Sequence, residues 1–388
     1  MELKDKKKRI AFATGSRADY GIVRNYLNKL KANADIELSI LVTGALLSEE
    51  YGHQVDLIFQ DGFSVGAQIE IPIDSSSNQG VLRAMSVALD KFGTFFSTNR
   101  FDLLIILGDR YEMLSVATAA AVNRIPILHI HGGEATYGNY DEFIRHAITK
   151  MSLFHFAATE EYRKRIIQLG ETPDRVFNLG ALGAENCLQI DETKIPTEVK
   201  DLTNKSYFVV LFHPETLTNI CVDEQIEELL GAIDVFGKYR FVFIGSNADT
   251  NSNVIRKRVK EYVNSHANCM YFENLPTAGY HYLVKHSQAL VGNSSSGLIE
   301  APSLGTYTIN IGDRQEGRTR GNSVFDVKCS KEEIISAVNH VLSIAGNHEI
   351  VNPYFQKCTA ENYYSTTLKI LKKLDEGVNE HPKRFYDL

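Results

Sequence analysis

The chain has 388 residues, 44% of them hydrophobic and 23% charged, and a formal net charge of −7. This length exceeds what one hydrophobic core usually serves, so it predicts two domains. The negative charge excludes a general attraction to nucleic acid or to an anionic membrane, and no apolar stretch approaches the roughly 18 residues that span a bilayer. The five cysteines are scattered without a CxxC pair, which argues against a disulfide framework. We therefore expect a cytoplasmic protein without membrane insertion.

In the first half of the chain, apolar runs rich in β-branched and aromatic residues alternate with amphipathic segments. The predicted strands cover residues 9–13, 37–42, 102–107, 125–130, 153–157 and 175–178. The predicted helices cover residues 22–32, 81–96, 113–123, 141–152 and 160–169. Continuous hydrophobic strands that alternate with helices predict a parallel sheet covered on both faces.

A polar, proline-containing stretch, DETKIPTEVKDLTNK (191–205), interrupts this alternation, and we interpret it as an interdomain linker. The pattern then restarts. Strands are predicted at 207–212, 240–244, 270–272, 289–291 and 307–311, and helices at 222–236, 254–265, 280–286, 298–303 and 362–374. The sequence thus predicts an N-terminal α/β domain (1–190) and a C-terminal α/β domain (206–388) whose final helix packs back on the first domain. Both are expected to be doubly wound and Rossmann-like and to face each other across a cleft, where ligands bind beyond the carboxyl ends of the strands.

The segment TGSRADYG (14–21) connects the first predicted strand to the first predicted helix. It has the position of a phosphate-binding loop, but it has neither the GxGxxG spacing of a dinucleotide site nor the Walker spacing. A nicotinamide Rossmann domain and an NTPase are therefore disfavoured. Arg17 is either a phosphate ligand beside the amides of the helix start or a solvent-exposed residue in an ordinary turn.

The segment VGNSSSGLIEAPSLG (291–305) carries the strongest local indication of anion binding. Its hydroxyls are expected at a helix N-terminus, where amide hydrogens and the helix dipole favour an anion. The serines could hold a diphosphate, while Glu300 could accept hydrogen bonds from a ribose diol. The alternative is a capping serine cluster with no ligand.

Two further strand ends carry basic side chains. Arg314, Arg318 and Arg320 follow one strand in GDRQEGRTRG (312–321), either as phosphate ligands or as a solvated basic loop. His213 ends another strand in LFHPET (211–216), where it is either a site residue or a buried capping histidine.

Acidic residues follow the central strands of the first half. Asp109, in LGDRYE, is either an acid–base residue or part of a salt-bridged turn. In HIHGGEATYGNYDEFIRH (129–146), alternation along one strand predicts that His129 and His131 point to the same face, where Glu134 and Asp141 could complete a zinc or iron site. HxxxH and HExxH spacings are missing, so we favour a metal-free site in which the three carboxylates repel each other and their pKa values rise.

Taken together, these motifs resemble those of the hydrolysing UDP-N-acetylglucosamine 2-epimerases of bacterial sialic acid biosynthesis. The resemblance runs through nearly the whole chain, in TGSRADYGIV, LGDRYE, HIHGGE, YDEFIRHAITKMS, ATEEYRKRIIQLGE, FHPET, IGSNADT, GNSSSGLIE and INIGDRQEGR. It implies a glycosyltransferase-B-like fold, no metal and no nicotinamide cofactor, and a homodimer or homotetramer. The implied reaction converts UDP-N-acetylglucosamine and water to N-acetylmannosamine and UDP, through elimination to 2-acetamidoglucal followed by hydration.

The resemblance also implies residue roles. Asp109, Glu134 and Asp141 match the acid–base carboxylates, with Glu142 as a less favoured substitute for Asp141, and Arg145 and His146 as residues that orient them. The residues matching the nucleotide site are Arg17, Arg110, His213, Asn247, Ser294, Ser295, Glu300 and Arg314. His213 and Arg314 would stabilise the phosphate charge that develops as UDP departs.

Three alternatives remain open at this point. Relatives in the legionaminic acid pathway apply the same chemistry to UDP-2,4-diacetamido-2,4,6-trideoxyglucose or to GDP-N-acetylglucosamine. A glycosyltransferase on the same fold would need an acceptor site and leaves the three carboxylates unexplained. A sugar-nucleotide binder without activity would tolerate their loss.

Overall fold

The computed structural model describes residues 7–49, 52–73, 77–135, 137, 141–202, 206–215, 220–245, 252–273, 275–344, 349–378 and 383–388. The chain divides into two compact units. Unit 1 comprises Met1–Glu134, Tyr140–Leu182 and Gln356–Leu388, and unit 2 comprises Ala135–Asn139 and Gly183–Phe355. Within these described ranges, no helix is both long and apolar enough to cross a membrane.

The strands form one parallel sheet in each unit. They are β1 (Lys8–Thr14), β2 (Ile36–Thr43), β3 (Val65–Ile69), β4 (Leu103–Leu107), β5 (Ile127–Ile130), β6 (Phe154–Ala157), β7 (Val176–Asn178), β8 (Tyr207–Leu211), β9 (Arg240–Ile244), β10 (Cys269–Phe272), β11 (Ala289–Gly292), β12 (Tyr307–Ile311) and β13 (Val324–Val327). The order is β3-β2-β1-β4-β5-β6-β7 in unit 1 and β10-β9-β8-β11-β12-β13 in unit 2. In both sheets the order reverses beside the first strand, at β1/β4 and at β8/β11. This is the doubly wound Rossmann arrangement, in which ligands bind at the reversal point.

Helices connect most of the strands. They are α1 (Arg17–Ala32), α2 (Asp56–Gln60), α3 (Asn78–Thr98), α4 (Tyr111–Val122), α5 (Asp141–Met151), α6 (Glu160–Gln168), α7 (Leu182–Asn186), α8 (Thr197–Lys200), α9 (Val222–Ile233), α10 (Ser252–Ser265), α11 (Thr277–His286), α12 (Ser296–Ile299), α13 (Lys331–Ile344) and α14 (Thr359–Asp375). Ser16 caps α1 by accepting from the amide of Asp19 at 3.2 Å, as short hydroxyl side chains do at N-termini.

Side chains of the central strands alternate between two buried layers. In β1, Ile10 and Phe12 belong to one core cluster of unit 1, whereas Ala11 and Ala13 belong to the cluster on the opposite face. Strand side chains point alternately to the two faces, so both faces of this sheet are covered. Unit 2 has the same organisation in β8, and the predicted fold class is confirmed.

Unit 1 includes residues from both halves of the sequence. Helix α14 packs on α1, where the hydroxyls of Tyr26 and Thr367 lie 2.7 Å apart. Tyr363 and Ile370 of the same helix belong to the core cluster that contains Ile10 and Phe12. Residues after 355 therefore complete the core of unit 1.

The stretch 191–205 was predicted to be a linker, but its described residues, 191–202, belong to unit 2. The larger part of unit 2 begins at Gly183, and Ile195, Val199 and Leu202 are buried in one of its core clusters. The apolar side chains lie among polar ones at irregular spacing, so the composition masked their burial. The boundary lies earlier than the predicted 190, and the C-terminal part of the chain returns to unit 1 at Gln356.

Other differences concern two outer strands and two helices. Strands β3 and β13, which are outermost in their sheets and only partly buried, were not predicted. Helix α13 was not predicted either, although Ile334, Val338 and Val341 form a buried helical stripe. The predicted helix at 298–303 is a single turn, α12, followed by turns.

Candidate active site

The predicted acid–base residues of unit 1 follow neighbouring strands or open the next helix. Asp109 comes directly after β4 and the turn at Gly108, Glu134 follows β5, and Asp141 is the first residue of α5. Since β4 and β5 are parallel neighbours, their carboxyl ends lie at the same edge of the sheet. The structure therefore brings these residues to one part of unit 1, beside the reversal point.

Arg145 connects two of the carboxylates. Its guanidinium, only 2% exposed, donates to Asp109 from Nη2 and lies 3.8 Å from Oε2 of Glu134 through Nη1. Nη1 also donates to the backbone carbonyl of His131 at 3.0 Å. A planar guanidinium offers donors in a fixed fork, so it fixes the direction of the groups that it binds.

Glu134 is as buried as Arg145, with 2% of its side chain exposed. Its Oε1 lies 2.9 Å from Nδ1 of His131. His131 has a φ of 64°, in the left-handed region that few residues other than glycine adopt. Strand β5 ends at Ile130, so the alternation from which we expected His129 and His131 to share a face stops one residue before His131.

Asp141 lies one helical turn before Arg145, so the two side chains share a face of α5. Burial, together with the negative charge of Asp109, raises the pKa of Asp141 to about 7, although Arg145 and Arg110 oppose this shift. A carboxyl group with such a pKa can either accept or donate a proton near neutral pH.

His129 supports the turn that carries Asp109. Its Nε2 lies 2.8 Å from the carbonyl oxygen of Gly108, and its Nδ1 lies 3.1 Å from the hydroxyl of Thr149. Burial lowers the pKa of His129 to about 3, so the ring is neutral. A carbonyl only accepts, so Nε2 carries the proton and the Thr149 hydroxyl donates to Nδ1.

These contacts bear on the metal hypothesis. Both ring nitrogens of His129 are already hydrogen-bonded, and neither contact leaves a lone pair directed at a metal ion. Among the residues that the structure describes, no group of three or more His, Cys, Asp or Glu side chains is placed to hold one. Nε2 of His146 lies 3.0 Å from Oε1 of Glu142, one turn earlier on α5, and both side chains are partly buried.

The predicted arginines of unit 1 have different surroundings. Arg17 is exposed at the first residue of α1. Nε of Arg110 lies 2.5 Å from the buried carboxylate of Glu112, which raises the pKa of Arg110. A Cβ at Gly15 would lie only 2.4 Å from the same carboxylate, so a side chain there would have to displace Glu112. Arg110 is thus oriented beside the loop after β1.

In unit 2, His213 and Asn293 join the ends of β8 and β11. The Asn293 side chain accepts from the His213 amide at 2.7 Å and donates to the His213 carbonyl at 2.9 Å. Gly292 has a φ of 143°, and a Cβ there would lie 2.0 Å from the carbonyl oxygen of Leu211. The close approach of the two strand ends at the reversal point therefore depends on this glycine.

Arg314 is held against the same strand ends. Its Nη1 donates to the carbonyl of Asn293 at 3.1 Å, and its amide donates to Oε1 of Glu215 at 2.9 Å. Burial raises the pKa of Glu215. Arg320 was predicted in the same arginine cluster. Its Nε lies 2.5 Å from Oδ2 of Asp326 in β13, so its side chain pairs with that strand.

The serine cluster lies at the short helix α12. Ser295 precedes its first residue, and the hydroxyl of Ser294 accepts from the amide of Ser296 at 3.4 Å. Glu300 ends the helix, with Oε2 3.6 Å from Nε2 of His281, and the hydroxyls of Tyr280 and Ser296 are hydrogen-bonded. Asn247, also predicted to bind nucleotide, lies outside the described residues.

Sequence reasoning missed several residues that support this site: Asn293, Glu215, Gln315, Tyr280 and His281. Asn293 and Glu215 stand inside motifs that the sequence already singled out, so their position beside a predicted site residue was an available indication. Tyr280 and His281 come from α11, and nothing in the sequence pattern brings that helix to the serine cluster.

Comparison with solved structures defines the class of fold. A UDP-GlcNAc 2-epimerase from Neisseria meningitidis, solved bound to UDP-GlcNAc, superposes with a TM-score of 0.76 at 17% sequence identity, over 93% of this chain and 100% of that one. Two parallel-sheet Rossmann-like domains of this kind are glycosyltransferase-B-like.

Comparison of sequences defines the family. Residues 28–367 match the model of the UDP-N-acetylglucosamine 2-epimerase family. The polysialic acid biosynthesis protein P7 of Escherichia coli is 47% identical over 389 residues, which cover 98% of each chain. The GDP/UDP-N,N'-diacetylbacillosamine 2-epimerase (hydrolyzing) of Campylobacter jejuni is 36% identical over 325 residues, 82% of this chain and 84% of that protein. The chain belongs to the UDP-N-acetylglucosamine 2-epimerase family.

Proposed function

We propose that the protein is a hydrolysing 2-epimerase that converts UDP-N-acetylglucosamine and water to N-acetylmannosamine and UDP for sialic acid biosynthesis. Its 47% identity with a polysialic acid biosynthesis protein supports the pathway. The relative from Campylobacter jejuni, whose name includes the hydrolysing reaction, supports the use of water.

The observation that carries the proposal is the set of carboxylates around Arg145. One buried guanidinium, that of Arg145, orients Asp109 and Glu134. Asp141 lies on α5 with Arg145, and its pKa is about 7. Removing a proton from carbon needs a positioned base, and returning one needs a positioned acid. Carboxyl groups with different environments can divide these roles.

In the proposed reaction, a carboxylate removes the proton from C2 of the sugar while the bond between C1 and the UDP oxygen breaks. The electron pair of the C–H bond forms the C1–C2 double bond of 2-acetamidoglucal, and the electron pair of the C–O bond leaves with UDP. Water then adds its hydroxyl to C1 and gives its proton to a carboxylate, and a carboxylic acid returns a proton to C2 from the opposite face. In total, one water molecule is consumed, the configuration at C2 is inverted, and the sugar is neither oxidised nor reduced.

The unit 2 residues would serve the nucleotide. Ser294 and Ser295 would donate to the diphosphate, Glu300 would accept from the ribose hydroxyls, and His213 and Arg314 would stabilise the charge on the departing phosphate. Arg17 and Arg110 of unit 1 would add positive charge. UDP titrated calorimetrically into Ser294→Ala and Arg314→Gln should bind at least about 10-fold more weakly than to wild type, whereas Arg258→Gln, a surface arginine of unit 2, should leave the affinity unchanged.

An NMR time course in deuterated water tests the reaction. With UDP-N-acetylglucosamine we expect free N-acetylmannosamine carrying deuterium at C2, together with one UDP per sugar. UDP-N-acetylmannosamine as the lasting product would contradict hydrolysis. Free N-acetylglucosamine without deuterium, or transfer of the sugar to an added acceptor, would contradict epimerisation.

Paired variants test the site. Asp109→Asn and Glu134→Gln should each lower kcat by at least about 100-fold, the usual contribution of a general acid or base. Asp102→Asn is the matched control, since Asp102 is an exposed carboxylate just before β4, at the other end of the strand that leads to Asp109. Wild-type rates in the Asp109 and Glu134 variants would remove these residues from the chemistry.

A second candidate is the same chemistry on UDP-2,4-diacetamido-2,4,6-trideoxyglucose or GDP-N-acetylglucosamine. It is supported by the diacetylbacillosamine 2-epimerases of Campylobacter jejuni and Legionella pneumophila, which are 36% and 33% identical to this chain. Parallel reactions with the three sugar nucleotides discriminate the candidates by kcat/KM. A value for UDP-N-acetylglucosamine below either of the others would replace the first proposal with the second.

A further inference from the structure

The segment 383–388 packs against the last turn of α5. The ammonium group of Lys383 donates to the backbone carbonyls of Thr149 at 3.3 Å, Lys150 at 2.9 Å and Ser152 at 2.5 Å. The last carbonyls of a helix have no partner within the helix and carry partial negative charge. One cation therefore satisfies the C-terminal end of the helix whose first turns carry Asp141 and Arg145.

The same ammonium group belongs to a partly buried ionic cluster. It is 2.6 Å from Glu171, which is only 1% exposed and also contacts Lys150 at 2.7 Å and His155 at 3.2 Å. Burial alone would raise the pKa of Glu171, but His155 and Lys383 hold it at about 2, so the carboxylate is ionised. Removing Lys383 would leave a buried charge with fewer partners, which is costly in a protein interior.

Backbone contacts and an aromatic ring fasten the rest of the segment. The amide of Tyr386 donates to the carbonyl of Gly170 at 2.9 Å. The ring of Phe385 lies 4.9 Å from Nζ of Lys150, and a Cβ at Gly170 would lie 2.3 Å from that ring. The segment is thus docked at several points along the same surface of unit 1.

From the last turn of α5, two routes lead to Asp109. Along the helix, Arg145 binds the Asp109 carboxylate directly. Across the sheet, the Thr149 hydroxyl contacts His129, and His129 contacts the carbonyl of Gly108, the residue before Asp109. A shift of α5 along its axis would change both contacts.

We propose that Lys383 is a positioning residue, which holds the C-terminal end of α5 and thereby fixes Arg145 and the turn that carries Asp109. This inference rests on the proposed function for its effect on the reaction, but its structural part does not. No role is assigned to Lys383 in the chemistry itself.

Lys383→Gln tests the proposal, with Lys373→Gln as the matched control. Lys373 is an exposed lysine of α14 whose Nζ also contacts a backbone carbonyl and a carboxylate, both of Asp174. In the first variant kcat should fall about 10-fold with KM within about 2-fold of wild type, because misplaced groups slow the reaction more than they weaken binding. Lys383→Arg, which keeps the charge and several donors, should recover most of the rate. Wild-type kcat in Lys383→Gln would overturn the proposal.

Hydrogen exchange gives a readout that does not depend on the substrate. In Lys383→Gln, amides of residues 141–151 should exchange about 10-fold faster than in wild type and in Lys373→Gln. If wild type shows no epimerase activity but this exchange increases, the proposed function fails and the positioning role stands. Unchanged exchange in the folded variant overturns the positioning role whatever the activity.

Thr149→Val provides a second test should Lys383→Gln prove unstable. It removes the hydroxyl that contacts His129 while keeping the backbone carbonyl that Lys383 binds. The variant should lower kcat by a similar factor, and Lys383→Arg/Thr149→Val should be no better than Thr149→Val alone. Wild-type kcat in Thr149→Val would show that α5 does not act on Asp109 by this route.

Discussion

Arg145 in α5 donates to the carboxylate of Asp109 at the end of β4, and this bond joins a helix to a strand end across the edge of the sheet. We expect Arg145→Met to lower kcat/KM by at least about 100-fold, since two carboxylates lose their orienting partner. Because the charges are largely buried, the free energy of unfolding should fall by about 3 kcal/mol. Arg145→Lys should recover little, since an ammonium group cannot bind both carboxylates in a fork.

The measurement is steady-state kinetics with urea unfolding of the same samples. Arg258→Gln is the control, since that arginine lies at the surface with 38% of its side chain exposed, and its loss should change stability by less than about 1 kcal/mol. A stable, fully active Arg145→Met protein would contradict the role of this guanidinium.

Asp141 should give the protein a characteristic pH dependence. Its pKa is about 7 in the folded state and 3.8 in an exposed carboxyl group. The folded state therefore holds this proton more tightly, so the stability that it contributes is present below pH 3.8 and is lost as the pH rises through 7. The free energy of unfolding of Asp141→Asn, measured relative to wild type, should therefore be about 1–2 kcal/mol higher at pH 8 than at pH 5. Urea midpoints at the two pH values measure this, and an equal difference at both would exclude Asp141 as the source.

His129 should act in the opposite direction. Burial lowers its pKa from 6.5 to about 3, so its contribution to stability is present above pH 6.5 and is lost as the pH falls toward 3. Between pH 7.5 and pH 5, wild type should lose about 1–2 kcal/mol more than His129→Asn, which has no titrating ring. Unfolding followed by circular dichroism at intermediate pH values checks this. Parallel curves for the two proteins would show that His129 is not the origin of the acid sensitivity.

Gly292 should be intolerant of a side chain. A Cβ there would lie 2.0 Å from a backbone oxygen, and its φ is positive. Gly292→Ala should therefore lower the melting temperature by several degrees, since the strain is of the order of 1–3 kcal/mol or more. In the same unit, Gly237 has an ordinary φ of −55°, and a Cβ added there would meet nothing within 4 Å. Gly237→Ala should leave the melting temperature unchanged or slightly raised, and similar losses in both variants would contradict this account.

Sequence patterns predicted the central strands well, because β1, β4 and β8 are continuous runs of apolar residues bounded by turn residues. The pairing of Asp141 with Arg145 was also predictable, since residues four apart share a helix face. The left-handed backbone at His131 was not, because it depends on tertiary contacts at the end of β5. The burial of Val199 and Leu202 was hidden by the polar residues around them. The outer strand β3 is only partly buried, so its sequence lacks the continuous apolar run of the central strands.

The return of residues 356–388 to unit 1 has a consequence for biosynthesis. Tyr363 and Ile370 belong to the same buried cluster as Phe12, but the ribosome must translate all of unit 2 between residue 182 and residue 363. At ordinary elongation rates this interval lasts about 10–40 s. During this time the nascent N-terminal sheet lacks α14, which together with α1 covers one of its apolar faces. The protein should therefore depend on ribosome-associated chaperones more than its size alone suggests. Unit 2 should form its native core before unit 1 does.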